Sequence, residues 1–125
     1  MGIGAQVYVR DIIAAVDVYC RAFGAEITFE MKDEKGRYAH CELSLDGKLF
    51  LAVSEAPENA DTTQKKQWQT MAFNVYDLKT EERVRQAFDI LKEGALVFDP
   101  PGPCPWNRCC TNLIDRFGVQ WWIAV

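Results

Sequence analysis

The amino-acid sequence predicts an α+β fold in which two βαβββ modules build a curved, mostly antiparallel eight-stranded sheet with the helices on its convex side. The order strand, helix, strand, strand, strand occurs twice along the 125 residues. Each module also ends in two strands joined by a glycine-containing turn. A module of roughly 60 residues buries too little surface to be stable alone. We therefore expect the two modules to form one domain around a shared hollow.

The repeat is visible in matching short motifs. Both helices follow a Val-x-Asp tripeptide and end at a Gly-Ala pair, as expected for an acidic N-terminal cap and a C-terminal glycine. The matching pairs are Val9-x-Asp11 with Val75-x-Asp77, Gly24-Ala25 with Gly94-Ala95, and Asp46-Gly47 with Asp115 to Gly118. These correspondences predict that the chain contains two copies of one supersecondary unit.

The first module is predicted to occupy residues 1–56. Alternation of polar and apolar residues predicts strands at 6–9, 27–30, 38–45 and 49–53. Apolar residues spaced by three and four predict a helix that begins at Asp11 and ends at Gly24. Asp46-Gly47 is typical of a two-residue hairpin turn.

Residues 57–66 lack an apolar period and are predicted to be a linker, followed by the second module at 67–125. Strands are expected at 71–75 and 95–98, with a helix that opens at Asp77 and ends at Gly94. The run Pro100-Pro101-Gly102-Pro103 is expected to interrupt the chain. The last two strands then flank the turn at Asp115 to Gly118.

Composition excludes several classes of protein. The net charge is −4, and no basic cluster exceeds Lys65-Lys66, which argues against a nucleic-acid partner. No apolar run approaches the ~20 residues that span a bilayer, and no signal peptide is apparent, so we expect no membrane partner. An odd number of irregularly spaced cysteines, five in all, favours reduced thiols and a cytoplasmic location.

Three motifs resemble those of a known family. They are Phe23-Gly24-Ala25-Glu26, His40-Cys41-Glu42-Leu43, and Trp106 followed by Asp115-x-Phe117-Gly118-Val119-x-Trp121. Together they resemble the PhnB-like branch of the vicinal-oxygen-chelate superfamily, also called glyoxalase/bleomycin-resistance/dioxygenase. The resemblance covers nearly the whole chain. It implies the paired βαβββ fold, a concave cavity and a homodimer.

The resemblance also implies a divalent metal held by a His or Glu from the first and last strand of each module. The corresponding positions here are Gly4, Leu51, Thr70 and Trp122. None carries a histidine, carboxylate or thiolate, and metal ions need several such donors together. We therefore predict no metal ligands and no cofactor.

Alternation also predicts which side chains face the hollow. The expected ligand-binding residues are Gln6, Tyr8, His40, Glu42, Asn74, Trp106, Cys109, Gln120 and Trp122. This mixture of polar and aromatic groups is typical of a small-molecule site. The alternative is that the polar face is simply hydrated or covered by a second subunit.

Three functions follow as hypotheses. The first is a metal-independent protein that binds a small molecule. The second is an enzyme of the same superfamily, a lyase, isomerase or dioxygenase, which would use a metal or would use His40 and Glu42 for acid–base catalysis. The third is an antibiotic-sequestering resistance protein, which would be favoured by a dimer cleft lined by Trp68 and Trp106.

Overall fold

A computed structural model describes residues 1–60 and 67–125 of the chain. The chain divides into two compact units, Met1–Thr62 and Thr63–Val125. Of the predicted linker 57–66, residues 61–66 lie outside the described residues. Residues 57–60 are fixed by Arg10, whose guanidinium donates to the carbonyl oxygens of Glu58 and Ala60, each at 2.7 Å.

The first module contains one four-stranded sheet and one helix. Its elements are β1 (Gln6–Val9), α1 (Ile12–Phe23), β2 (Glu26–Lys32), β3 (Tyr38–Leu45) and β4 (Lys48–Glu55). The strand order is β1-β4-β3-β2, with β1 parallel to β4 and the other pairs antiparallel. Helix α1 packs on β3 and β4. The strand β2 therefore forms an edge, and all of its residues are exposed.

Helix α1 begins and ends where the sequence predicts. The Asp11 carboxylate accepts a hydrogen bond from the Ala14 amide at 3.1 Å, and Gly24 closes the helix at a φ of 72°. The amides of Asp11 and Ile12 also donate to the carboxylate of Glu55 on β4, at 3.1 and 2.9 Å. A carboxylate at a helix N-terminus satisfies donors that have no partner within the helix. Glu55 thus attaches α1 to its own sheet.

The second module repeats the arrangement. Its elements are β5 (Phe73–Val75), α2 (Glu81–Leu91), β6 (Leu96–Cys104), β7 (Asn107–Ile114) and β8 (Gln120–Ala124). The strand order is β5-β8-β7-β6, with β5 parallel to β8 and the other pairs antiparallel. Leu113, Trp121 and Ile123 share one face of this sheet and are fully buried. The predicted α+β fold of two βαβββ modules is confirmed, with the eight strands divided between two four-stranded sheets.

Three predictions for the second module are wrong, and the first is the end of α2, which lies at Leu91 and not at Gly94. The helix opens at Thr80, whose hydroxyl accepts from the Arg83 amide at 3.2 Å, and not at Asp77. Asp77 keeps the left-handed φ of its counterpart Asp11, 61° against 63°, but the helix starts later. The prolines at 100–103 do not interrupt the chain, because β6 continues to Cys104 with three register shifts. Edge strands tolerate prolines, since one side of their backbone needs no strand partner.

Candidate functional site

The polar face of the first module is created by alternation along β3. Cys41 and Leu43 are buried on the face that α1 covers, at 3% and 0% exposure. His40 and Glu42 point to the opposite face, as strand geometry requires. In the register of the sheet, His40 lies opposite Ser54 of β4.

Four side chains on this face form a continuous hydrogen-bonded chain, which we call the Ser54 network. Gln6 Nε2 lies 3.1 Å from Ser54 Oγ, and Ser54 Oγ lies 2.7 Å from His40 Nδ1. His40 Nε2 lies 3.3 Å from Glu42 Oε2. Three strands, β1, β4 and β3, therefore contribute to one polar cluster.

The chemistry of the two ends favours one direction of hydrogen bonding through the network. The amide nitrogen of Gln6 only donates, and an ionised Glu42 carboxylate only accepts. A neutral His40 ring that donates from Nε2 to Glu42 accepts at Nδ1 from the Ser54 hydroxyl, which in turn accepts from Gln6. With Ser54 at one ring nitrogen and Glu42 at the other, the imidazole is held in one tautomer.

Aromatic side chains adjoin the Ser54 network. Tyr8 lies opposite Ser54 in the register of β1 and β4 and is 59% exposed. The Phe29 ring meets the His40 ring edge-on, with 6.2 Å between centroids. The side chain of Glu42 is 38% exposed and that of His40 is 21% exposed. The first module thus brings together four predicted ligand contacts, namely Gln6, Tyr8, His40 and Glu42.

In the second module, three predicted contacts share a face, namely Asn74, Gln120 and Trp122. Asn74 of β5 and Asn112 of β7 both lie opposite Trp122 of β8. The Gln120 side chain is on this face as well, but it is only 2% exposed and is bonded at both ends. Its Oε1 accepts from the Gln69 amide at 2.8 Å, and its Nε2 donates to Asn112 Oδ1 at 3.1 Å. Gln120 therefore has a clear role in holding its own module together.

The predicted orientation of Cys109 is wrong. Residues Cys110 and Asn112 pair with Ala124 and Trp122, so Cys109 lies on the opposite face from Trp122 and is fully buried. The loop between β7 and β8 has five residues, from Asp115 to Val119, and this length places residues of equal parity opposite each other. The sequence prediction paired β7 and β8 one residue out of step.

Trp106 lies at the tip of the hairpin between β6 and β7 and is 74% exposed. Trp68 is 60% exposed and contacts Phe98, with 4.8 Å between ring centroids. Both tryptophans are thus available at the surface of their own module. A dimer cleft lined by them stays a prediction.

The fold has clear relatives. The family model for the Glyoxalase/Bleomycin resistance protein/Dioxygenase superfamily matches residues 4–123. The chain belongs to this superfamily. No curated protein sequence matches the chain significantly.

Solved structures of the superfamily resemble the chain over almost its full length. The PhnB protein from Bacillus cereus has 21% identity and a TM-score of 0.78, covering 99% of this chain and 98% of its own. The protein PA1353 from Pseudomonas aeruginosa has 20% identity and a TM-score of 0.78, with coverages of 99% and 96%. The FosX fosfomycin resistance protein from Listeria monocytogenes, complexed with Mn(II) and dihydroxypropylphosphonic acid, has 15% identity and a TM-score of 0.65, with coverages of 98% and 90%. At such identities the likeness establishes the fold alone.

The metal positions of the superfamily do not fit a metal in this chain. Leu51 lies opposite Leu43 on the buried face, so the residue of β4 that shares the polar face is Ala52, opposite Gln6. On β8 the corresponding residue is Trp122, opposite Asn74. Within residues 1–60 and 67–125, no group of three His, Cys, Asp or Glu side chains is arranged to hold a metal ion. Ala52 and Trp122 thus offer a methyl group and an indole at these positions, and neither is a metal ligand.

Ser54 is the functional candidate that sequence analysis missed. It is the second-last residue of β4, close to the predicted linker, and has no motif of its own. Two signals identify it. Ser54 lies two residues after Ala52, on the same face of β4, and it lies opposite His40 in an antiparallel pair.

Neither helix in the described part of the chain is long and apolar enough to cross a membrane.

Proposed function

We propose that this chain binds a small molecule on the polar face of its first module, through the Ser54 network. The observation that carries the proposal is the hydrogen-bonded series Gln6, Ser54, His40 and Glu42 beside the exposed rings of Tyr8 and Phe29. Small-molecule sites combine a few fixed polar groups with aromatic walls. Trp122 and Asn74 stay as predicted contacts on the second module.

The hydrogen-bond acceptors that the network leaves unused suggest the class of ligand. The donors of His40 and Ser54 are used within the network, whereas Glu42 Oε1 and Gln6 Oε1 have lone pairs available. The site therefore offers acceptors beside aromatic rings. It suits a flat molecule that donates hydrogen bonds, such as a hydroxylated aromatic.

Ligand-detected NMR with catechol and its dimethyl ether tests this. Catechol should bind, and the ether, which has the same ring but no donors, should bind at least tenfold more weakly. Glu42→Gln and Ser54→Ala should weaken catechol binding by a similar factor. Ser44→Ala is the matched control, because Ser44 has the same 8% exposure as Ser54 and bonds to Thr28 instead. Equal binding of both probes would contradict the proposal.

The second candidate is an acid–base enzyme, favoured by the contact between His40 and Glu42. Of the two linked acid–base groups, Glu42 is more exposed than His40, and the two are in hydrogen-bond contact. Glu42 would therefore accept the substrate proton, and His40 would hold the Glu42 carboxylate in position. An isomerase would remove a proton beside a carbonyl and return it at the neighbouring carbon. Exchange of the carbon-bound protons of dihydroxyacetone in D2O reports that first step. Exchange at the buffer rate would exclude this activity for that substrate, and loss of exchange in Glu42→Gln and His40→Ala would support it.

We also propose that the protein is a homodimer in the cytoplasm. The exposed edge strand β2 carries Ile27, Phe29 and Met31, which are 45–51% exposed, and exposed apolar edges commonly pair with a partner. All five cysteines are free, as in a reducing compartment. Light scattering after size exclusion should give twice the chain mass, and Met31→Lys should lower it. A monomer at all concentrations would overturn the dimer.

A further inference from the structure

The first module has a second concave feature, on the face that α1 covers. A cleft of about 310 Å³ lies between α1 and the strands β2 and β3. Because α1 packs on β3 and β4, the side of the helix towards the edge strand β2 is left open. The volume lies at the lower end of the ~300–1,000 Å³ typical of small-molecule pockets.

The cleft is separate from the Ser54 network. Ile27 and Glu30 of β2 line it, and they pair with Leu43 and Cys41, whose side chains point towards α1. His40 and Glu42 point to the other face of the same strand. The sheet itself therefore stands between the two features.

Apolar groups form the walls of the cleft. Ile13 and Val16 of α1 face Ile27 of β2 across it. Cys20 and Cys41 add two thiols. Burial raises the pKa of both thiols, with Asp17 raising that of Cys20 further and Glu30 that of Cys41, so both stay neutral near pH 7.

The charged groups that line the cleft are both acidic. The Asp17 carboxylate is paired with Arg21 at 2.9 Å. The Glu30 carboxylate has no ion-pair partner among residues 1–60 and 67–125. Tyr38 completes the lining, with the Lys32 ammonium 5.0 Å from its ring centroid.

We propose that this cleft binds a small amphiphilic amine. The apolar part packs against Ile13, Val16 and Ile27, and the ammonium group pairs with Glu30 beside the Tyr38 ring. An anion of the same shape is repelled by Glu30 and Asp17. The proposal is independent of the ligand site proposed above, because it uses no residue of the Ser54 network, but it shares Ile27 with the edge strand of the proposed dimer.

A titration of the full chain with 2-phenylethylamine, followed by ¹H–¹⁵N NMR, tests the site, with 3-phenylpropionate as the anion of similar shape. The amine should shift the amide signals of Ile13, Ile27 and Glu30 and leave Gln6 and Ser54 unchanged. The anion should bind more weakly. Equal binding of the two probes, or shifts centred on Ser54, would overturn the proposal.

Two charge variants sharpen the test. Glu30→Gln should weaken amine binding about two- to fivefold, the range of a solvent-exposed ion pair. Lys32→Gln removes a competing cation and should strengthen it. Glu34→Gln, in the adjoining turn and outside the cleft, is the matched control and should change nothing. Unchanged binding in Glu30→Gln would overturn the assignment of Glu30.

Discussion

At the scale of single residues, Asp115 organises the last hairpin. Its Oδ1 accepts from the amides of Phe117 and Val119 at 2.9 and 3.0 Å, and its Oδ2 accepts from Trp121 Nε1 at 2.8 Å. Asp115 is 3% exposed and Trp121 is fully buried. A buried donor that loses its acceptor is destabilising, so one carboxylate supports both the turn and the core.

We expect Asp115→Ala to lower the free energy of unfolding by about 3 kcal/mol, since three donors, including the buried indole, lose their acceptor. Urea denaturation measures the change. Asp89→Ala is the control, because Asp89 is exposed and, among residues 1–60 and 67–125, pairs only with Lys92, and it should cost less than about 1 kcal/mol. Similar losses in the two variants would contradict the role of Asp115.

Cys110 makes the stability of the protein depend on pH in the alkaline range. Burial and a hydrogen bond with Cys104 raise its pKa from 9.0 to about 11. Between these values the unfolded chain releases the thiol proton while the folded chain keeps it, so stability falls as the pH rises from 9 to 11. Denaturation at several pH values should show a shallower fall in Cys110→Ala. Parallel curves for the two proteins would contradict the shift.

At the scale of elements, the structure ties each helix to its sheet by different means. The first turn of α1 has no acidic residue of its own and receives Glu55 from β4, whereas α2 has Glu81 and Glu82 in its first turn. Both arrangements place negative charge at the positive end of a helix. Only α1 depends on a distant carboxylate for this.

Glu55→Ala should therefore lower the stability of the protein by about 1–2 kcal/mol through the loss of two charged hydrogen bonds. Thermal unfolding measures the effect. Glu58→Ala is the control, because in the described part of the chain Glu58 is bonded through its backbone carbonyl, by Arg10, and the substitution keeps that carbonyl. Equal midpoints for Glu55→Ala and the unmodified protein would show that the contact adds no stability.

The elements also show what a sequence pattern can predict. The Asp46-Gly47 turn was predicted because two adjacent residues with positive φ, here 51° and 77°, favour this pair. The start of α2 was misplaced because the repeat suggested Asp77, although Thr80 followed by two glutamates is the stronger local capping signal. The side of β7 that carries Cys109 was misjudged because register depends on loop length, which alternation alone does not reveal.

At the scale of the whole molecule, the two modules repeat even in unusual backbone conformations. Gly24 and Gly94 have φ values of 72° and 71°, and Asp11 and Asp77 have 63° and 61°. The fold was predictable because short matching sequence motifs reveal this repeat. The Ser54 network was only half predictable, because it needs the register of three strands and Ser54 carries no motif.

The charge of the whole chain should govern its behaviour in solution. With a net charge of −4 and an isoelectric point of about 5.0, the protein should bind an anion exchanger at pH 8 and be least soluble near pH 5. It should pass through heparin at low salt. Retention on heparin that decreases with salt would contradict the prediction that nucleic acids are not partners.

The Asp115 hairpin has one more consequence, for how such a protein can change over evolutionary time. Asp115 and Trp121, which secure the last hairpin, belong to the second module, and the Ser54 network belongs to the first. If the Ser54 network is the ligand site proposed above, substitutions that alter ligand choice need not touch the Asp115 hairpin. Descendants of this chain would be free to exchange one ligand for another while every one of them kept the same recognisable ending.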